Sequence, residues 1–158
     1  MNKIWKSNID NFLMLTTKHG VRMLMVGGGA VNFHGYQRHS ADVDFWIDTN
    51  EINLQKLLLV FKEMGYQIDE FPNSVKEQNQ NISIKFSPED IDIELITRFD
   101  VNKSFDEAYH SSKEVVINEL IGFKYNVLSL EDLIVSKTKA GRPKDLLDIM
   151  ELKRINGQ

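Results

Sequence analysis

The sequence predicts a single α/β domain of the α+β kind, a β-sheet flanked by helices and closed by a C-terminal helical hairpin. Three observations predict it. Helix-periodic and strand-length apolar segments alternate through the first half of the chain. Two segments of period-two alternation then follow with turn residues between them. The last quarter carries two helix starts and a glycine stop.

Taken in order, Ser7 to Lys18 places Ile9, Phe12 and Leu13 at helical spacing, and His19-Gly20 closes the helix. Val21 to Val26 is an apolar run of strand length. After glycines 27 to 29, a helix is expected to start at Ala30 and break at Gly35. Val43 to Ile47 is a second strand, apolar except for Asp44. Leu54, Leu57, Leu58 and Phe61 line one face of a helix that Gly65 ends, and Tyr66 to Glu70 is expected as the strand beyond it. Pro72 to Asn81 is polar and reads as a loop.

Asn81 to Phe86 and Ile91 to Ile96 alternate around Ser87-Pro88-Glu89-Asp90, which predicts a hairpin. A helix over Phe105 to Ser111 and short strands at Val115 to Ile117 and Tyr125 to Leu128 come next. Ser129-Leu130-Glu131-Asp132 has the spacing of a capping box, Gly141 is a stop, and Pro143 suits a first helical turn, so the hairpin covers about 129–156. No repeat, low-complexity tract or linker divides the chain, and residues 1–158 read as one domain.

Composition narrows the class of function. At 42% hydrophobic and 27% charged, the 158 residues can bury a core of their own. A net charge of −4 argues against a broad basic face for long nucleic acid and favours a substrate of nucleotide size. With no cysteine, thiolate nucleophiles, thiolate metal sites and disulfides are excluded. The opening MNKIWKSNIDNF lacks the apolar run of a signal peptide, and no stretch reaches the ~20 apolar residues of a membrane span. The expectation is a cytoplasmic protein without a membrane partner.

The chemistry is concentrated in MVGGGAVNFHGYQRHSADVDFWID, Met25 to Asp48. A dinucleotide fingerprint counted from Gly27 would need a third glycine where Asn32 stands, and no Gly-Lys-Ser/Thr follows to make a Walker A loop. A calcium loop starting at Asp42 fails at Trp46 and Ile47. What remains is a glycine turn between strand and helix, where backbone N–H groups can approach a phosphate; a tight turn without a ligand is the plainer reading. On an extended segment Asp42 and Asp44 project from the same face and repel. A divalent cation with hard oxygen ligands relieves that repulsion and commonly completes its shell with substrate phosphate oxygens. A third acid, Asp92 or Glu94, is offered by Ile91 to Ile96, where the two share the face opposite Ile91, Ile93 and Leu95. Such a set fits a two-metal site for phosphoryl chemistry.

These residues resemble the nucleotidyltransferase superfamily typified by DNA polymerase beta. That pattern is a hydrophobic residue, two glycines or Gly-Ser, a spacer of roughly a dozen residues, and Asp-hydrophobic-Asp/Glu-hydrophobic. It stands here as Val26-Gly27-Gly28, thirteen intervening residues, and Asp42-Val43-Asp44-Phe45. GGGAVNFHGYQRHSADVDFWID is similar to small bacterial stand-alone nucleotidyltransferases, as is the tail SLEDLIVSKTKAGRPKDLLDI. Together the two stretches cover about half the chain.

The resemblance implies a mixed β-sheet and transfer of a nucleoside monophosphate from an NTP to an acceptor hydroxyl with release of pyrophosphate. It implies that Gly27 and Gly28 bind the triphosphate and that Asp42 and Asp44 hold two Mg²⁺ ions with a third carboxylate. Glu94, in Glu94-Leu95-Ile96-Thr97, matches that third position better than Asp92, although aspartate is commoner there. Gly29 offers either a backbone donor or only a flexible turn. Arg38 and Ser40 are expected on the same phosphates if their segment folds back over the glycines. His34 and His39 receive no catalytic role.

Lys137 continues the helical stripe of Leu130, Leu133 and Ile134; it either snorkels or points its ammonium toward the phosphates, and the resemblance favours the second. Lys139, Arg142 and Lys144 form a basic cluster beside it, explained equally by a solvated helix end or by acceptor binding. The acceptor is open between small molecules, such as aminoglycoside or lincosamide antibiotics, and tRNA or protein. A non-catalytic nucleotide-binding or toxin-antitoxin module is the alternative of another class. Homodimer formation is left open, since small domains with exposed sheet edges often pair.

Overall fold

A computed structural model describes residues 3–40, 42–86, 91–118 and 122–158. Seven helices and six strands are found among them. In chain order they are α1 (Lys3–His19), β1 (Met23–Val26), α2 (Gly27–Phe33), β2 (Asp42–Ile47), α3 (Glu51–Glu63), α4 (Asn73–Lys76), β3 (Ile82–Ile84), β4 (Asp92–Ile96), α5 (Phe105–Ser111), β5 (Lys113–Asn118), β6 (Phe123–Val127), α6 (Leu130–Ala140) and α7 (Pro143–Ile155).

The strands form one mixed sheet in the order β3-β4-β2-β1-β6-β5. β1 is antiparallel to β2 and parallel to β6, β2 is parallel to β4, and the outer pairs β3–β4 and β5–β6 are antiparallel. The predicted hairpin is therefore β3–β4, and its turn at Ser87 to Asp90 lies outside the described residues.

Alternation along each strand sorts the core into two layers. Met23, Met25, Val43, Phe45, Ile47, Ile93 and Leu95 face α1 and α3, where Phe12 meets Phe45 at 6.0 Å between ring centroids. On the other face Trp46 is covered by Phe99 and Phe105, at 5.4 and 5.0 Å. Farther along that face the apolar cover gives way to carboxylates. No described helix is long and apolar enough to cross a membrane.

Local sequence explains most boundaries. Asn50 caps α3 by accepting from Asn53 N, and Ser104 and Glu107 cap α5 reciprocally. Ser129 caps α6 by accepting from Asp132 N; the Asp132 carboxylate pairs with Lys103 at 3.0 Å. Pro143 opens α7.

Three expectations are corrected. The helix expected from Ala30 begins at Gly27, immediately after β1. Tyr66 to Glu70 is not a strand: Tyr66 and Ile68 line a groove with Phe61 against Ile82 and Ile84, so side-chain packing replaces a ladder there. Pro72 to Asn81 is not all loop, because α4 forms within it to bury Val75.

Candidate active site

Two rows of paired residues build the site. Val26 pairs with Asp44 across β1 and β2, and Asp44 pairs with Glu94 across β2 and β4. One step along, Asp42 pairs with Asp92. All four carboxylates belong to the sheet face opposite α1 and α3, because paired residues share a face and alternate residues repeat it.

The glycine turn sits at the head of the first row. Gly27 has φ 60°, a left-handed conformation open to glycine, and a side chain there would collide with Oδ2 of Asp44. The carboxylate thus lies against bare backbone. Among the described residues no side chain caps the start of α2, and the first N–H groups of a helical turn have no intrahelical partner. Gly28 is buried beneath Ser40, whose Oγ would stand 2.6 Å from a Cβ at that position. The segment after α2 therefore does fold back over the turn, and Ser40 Oγ donates to the carbonyl of Asp42 at 2.8 Å. Gly29 answers to packing instead: a Cβ there would strike Met25 Sδ at 2.8 Å.

Burial, and then the charges of Asp42 and Glu94, push the Asp44 carboxyl up to about 6 from 3.8, while Lys137 and Lys144 pull in the opposite direction. Glu94 accepts a hydrogen bond from Ser83 Oγ at 2.5 Å. Asp92 is engaged at the hairpin, accepting from Lys85 Nζ and from the Phe86 amide, each at 3.3 Å. The carboxylates share a face without converging, and among the described residues no three acid or histidine side chains close on a single point.

The hairpin of α6 and α7 brings the cations. Lys137 is buried, with Nζ 3.3 Å from Asp145 and 3.0 Å from Asp148, so it does not snorkel into solvent. Arg38 reaches the same cluster through Asp148 at 3.1 Å, and its backbone N–H donates to Asn32 Oδ1 at 2.9 Å. Burial works against ionisation of Asp145, but hydrogen bonds from Arg142 and the Lys137 charge outweigh it and hold this carboxyl below the usual range. Of the basic cluster, Lys139 pairs with Asp100 and Arg142 with Asp145. Lys144 makes no ion pair among the described residues, and its charge reaches Asp44.

His34 is structural, its ring nitrogen 2.8 Å from the Leu128 carbonyl. Sequence reasoning missed Asp145, Asp148 and Ser83. A signal for the first two exists: acids spaced i, i+3 in Arg142-Pro143-Lys144-Asp145-Leu146-Leu147-Asp148, one helix after a lysine standing in an apolar stripe.

This arrangement can seat a polyanion against the glycine turn and hard cations against the acids. No curated protein shows significant similarity to the chain. Residues 6–158, nearly the whole length, match the family described as nucleotidyl transferase of unknown function (DUF2204). The chain belongs to that nucleotidyl transferase family, an enzyme class that takes NTP as a substrate.

Proposed function

We propose that the chain transfers a nucleoside monophosphate from an NTP to an acceptor hydroxyl, with Asp42, Asp44 and Glu94 as metal ligands and the Gly27-Gly28 turn under the triphosphate. The row Val26, Asp44, Glu94 carries the reading, because it sets the start of the glycine turn, a half-buried carboxylate and a second carboxylate side by side.

The donor chemistry fits Mg²⁺: it is all hard oxygen, and burial first, then the charges of Asp42 and Glu94, press Asp44 toward protonation, which a divalent cation would oppose. When bound, two such ions polarise the α-phosphoryl group and lower the pKa of the acceptor hydroxyl. The chain's own residues supply position and charge. Backbone N–H groups of Gly27 and Gly28 bind phosphate oxygens, the Ser40 hydroxyl joins them by turning from the Asp42 carbonyl, and Arg38 and Lys137 neutralise charge at the triphosphate. The acceptor oxygen bonds to the α-phosphorus as the bond to the β-phosphate oxygen breaks. Pyrophosphate leaves, and Glu94 is placed to accept the hydroxyl proton.

The acidic balance of the chain favours a small polyhydroxylated acceptor over tRNA or protein. The test incubates the protein with each α-labelled NTP, Mg²⁺ and panels of aminoglycosides, lincosamides, bulk tRNA and proteins, beside the Asp44→Asn variant. Label should pass to one acceptor class with wild type and not with the variant. Absence of both label transfer and metal-dependent NTP binding would overturn the reading.

A further inference from the structure

The first two turns of α7 are inverted, although Leu152 farther along is buried as usual. Asp145 and Asp148 are buried, at 0% and 2% exposure, whereas Leu146, Leu147 and Met150 are exposed at 51%, 49% and 67%. An ordinary surface helix does the reverse. Burying an ionised carboxylate is expensive unless it is paired, and each of these has two cationic partners. Those of Asp145 are Lys137 and Arg142, both within the α6–α7 hairpin. Those of Asp148 are Lys137, at 3.0 Å, and Arg38, at 3.1 Å, on the segment that folds over the glycine turn. Asp145 thus locks the hairpin to itself, and Asp148 ties it to the site.

Arg38 shows what that tie holds. Its guanidinium is anchored at one nitrogen by Asp148, while Nε is sheltered from solvent with no hydrogen-bond partner among the described residues. A buried donor left unpaired is destabilising in the free protein and becomes an advantage when an anion arrives. Lys137 lies close enough for its charge to act on Asp44. Without the shared carboxylate the two cations repel, and Arg38, already about a quarter exposed, swings toward water.

Resting on the nucleotide reading above, we propose that Asp148 is a positioning residue that holds Arg38 and Lys137 as one cationic unit beside the glycine turn and so sets the affinity for the nucleoside triphosphate. It touches neither metal nor nucleotide. Its role passes through Arg38, which a merely structural ion pair would not require.

The experiment titrates ATP and GTP, each with Mg²⁺, into wild type, Asp148→Asn, Asp148→Glu and Asp145→Asn by calorimetry, with a thermal melt of every variant. Asp148→Asn should weaken NTP binding about tenfold, the usual loss when a group that orients a ligand's partner is removed. In turnover this appears as a raised KM with kcat little changed. Asp148→Glu should recover most of the affinity. Asp145→Asn should lower the melting temperature at least as much as Asp148→Asn while weakening binding far less. Binding losses that track melting temperature across the two asparagine variants, or wild-type affinity in Asp148→Asn, would overturn the proposal. If wild type itself binds neither nucleotide, the nucleotide reading fails and takes this proposal with it. Should Asp148→Asn not fold, Arg38→Gln replaces it: it should weaken NTP binding at least as much as expected of Asp148→Asn while melting no lower than Asp145→Asn, and wild-type affinity in Arg38→Gln would refute the link through Arg38.

Discussion

Gly27 and Asp44 are in contact where β1 runs into α2, the carboxylate occupying the space that a side chain on the glycine would need. Any Cβ at position 27 must move Asp44. Gly27→Ala therefore combines left-handed strain with displacement of a site carboxylate, and nucleotidyl transfer should fall by at least about a hundredfold, as misplacement of reacting groups on the ångström scale does. Gly122→Ala is the control. Its φ of 64° imposes similar backbone strain, yet nothing lies within 4 Å of the new Cβ. Gly122→Ala should lose about 1 kcal/mol from backbone strain alone and Gly27→Ala somewhat more, because it must also displace Asp44, while only Gly27→Ala loses activity. Melting curves and label-transfer assays on both decide it.

Asp44 makes stability depend on pH in the direction opposite to a salt-bridged acid. Its carboxyl protonates at about 6 in the folded chain against 3.8 ordinarily. Between those values the folded state holds more protons than the unfolded state, so stability falls as pH rises through the window and stays lower above it. For a carboxyl that keeps part of its contact with water the loss is on the order of 1 to 2 kcal/mol when fully developed. Asp44→Asn should accordingly melt several degrees higher than wild type at pH 7.5 and show no advantage below pH 4, while losing label transfer. Mg²⁺ should raise the wild-type melting temperature more at pH 7.5 than at pH 5, where protons compete for the same oxygens. Melting temperatures across pH 4 to 8, with and without Mg²⁺, measure all three effects.

Asn53 sits on the buried face of α3 at 2% exposure and serves the sheet instead of the core. Its side-chain oxygen accepts from Arg22 N at 2.7 Å, and its amide donates to the carbonyls of Arg22 and Asp48 at 3.0 and 2.6 Å. It thus satisfies the backbone where β1 begins and β2 ends. Asn53→Leu keeps the branched shape but is bulkier, and it leaves the Arg22 N–H and the Asp48 carbonyl without their partner while the Arg22 carbonyl keeps the Asp48 N–H, so it should destabilise by about 2 kcal/mol or more. The site lies at the other end of those strands, so at temperatures where the variant is folded its KM for NTP should match wild type. Chemical denaturation and steady-state kinetics test the two halves.

Asn53 also marks where sequence reading stops. The stripe Leu54, Leu57, Leu58 and Phe61 predicts α3 and its buried face, but periodicity sees a polar residue beside such a stripe only as a boundary. The same limit hid α4, which rests on a single buried side chain, Val75, and misassigned Tyr66 to Glu70, where Tyr66 and Ile68 alternate as a strand would but spend that alternation on Phe61 and the edge of β3. The glycines and the Asp42/Asp44 pair were legible because their chemistry is local: each depends on neighbours one or two residues away. Asp148 was not, because its partners Arg38 and Lys137 are remote in sequence and meet only after α7 folds against the sheet.

Under the proposed function the third carboxylate is Glu94 or Asp92, and the two differ in their neighbours across the sheet. Glu94 stands opposite Asp44, the acid lying against the glycine turn, and its charge is among those that push the Asp44 carboxyl upward. Asp92 stands opposite the exposed Asp42, and its two oxygens are taken by Lys85 and by the Phe86 amide at the hairpin. Glu94→Gln keeps size and the hydrogen bond from Ser83 but removes the charge, and should reduce kcat by two orders of magnitude or more, with the pH at which Asp44 titrates moving down. Asp92→Asn should reduce kcat less than tenfold and act mainly on the hairpin, lowering the melting temperature slightly. Ser83→Ala frees Glu94 from its 2.5 Å hydrogen bond and should change kcat by only a few fold, because the carboxylate keeps its charge and its place in the row. Kinetics of the three variants at saturating NTP and Mg²⁺ rank them; a larger loss in Asp92→Asn than in Glu94→Gln would move the third ligand to Asp92 and the proton acceptor with it.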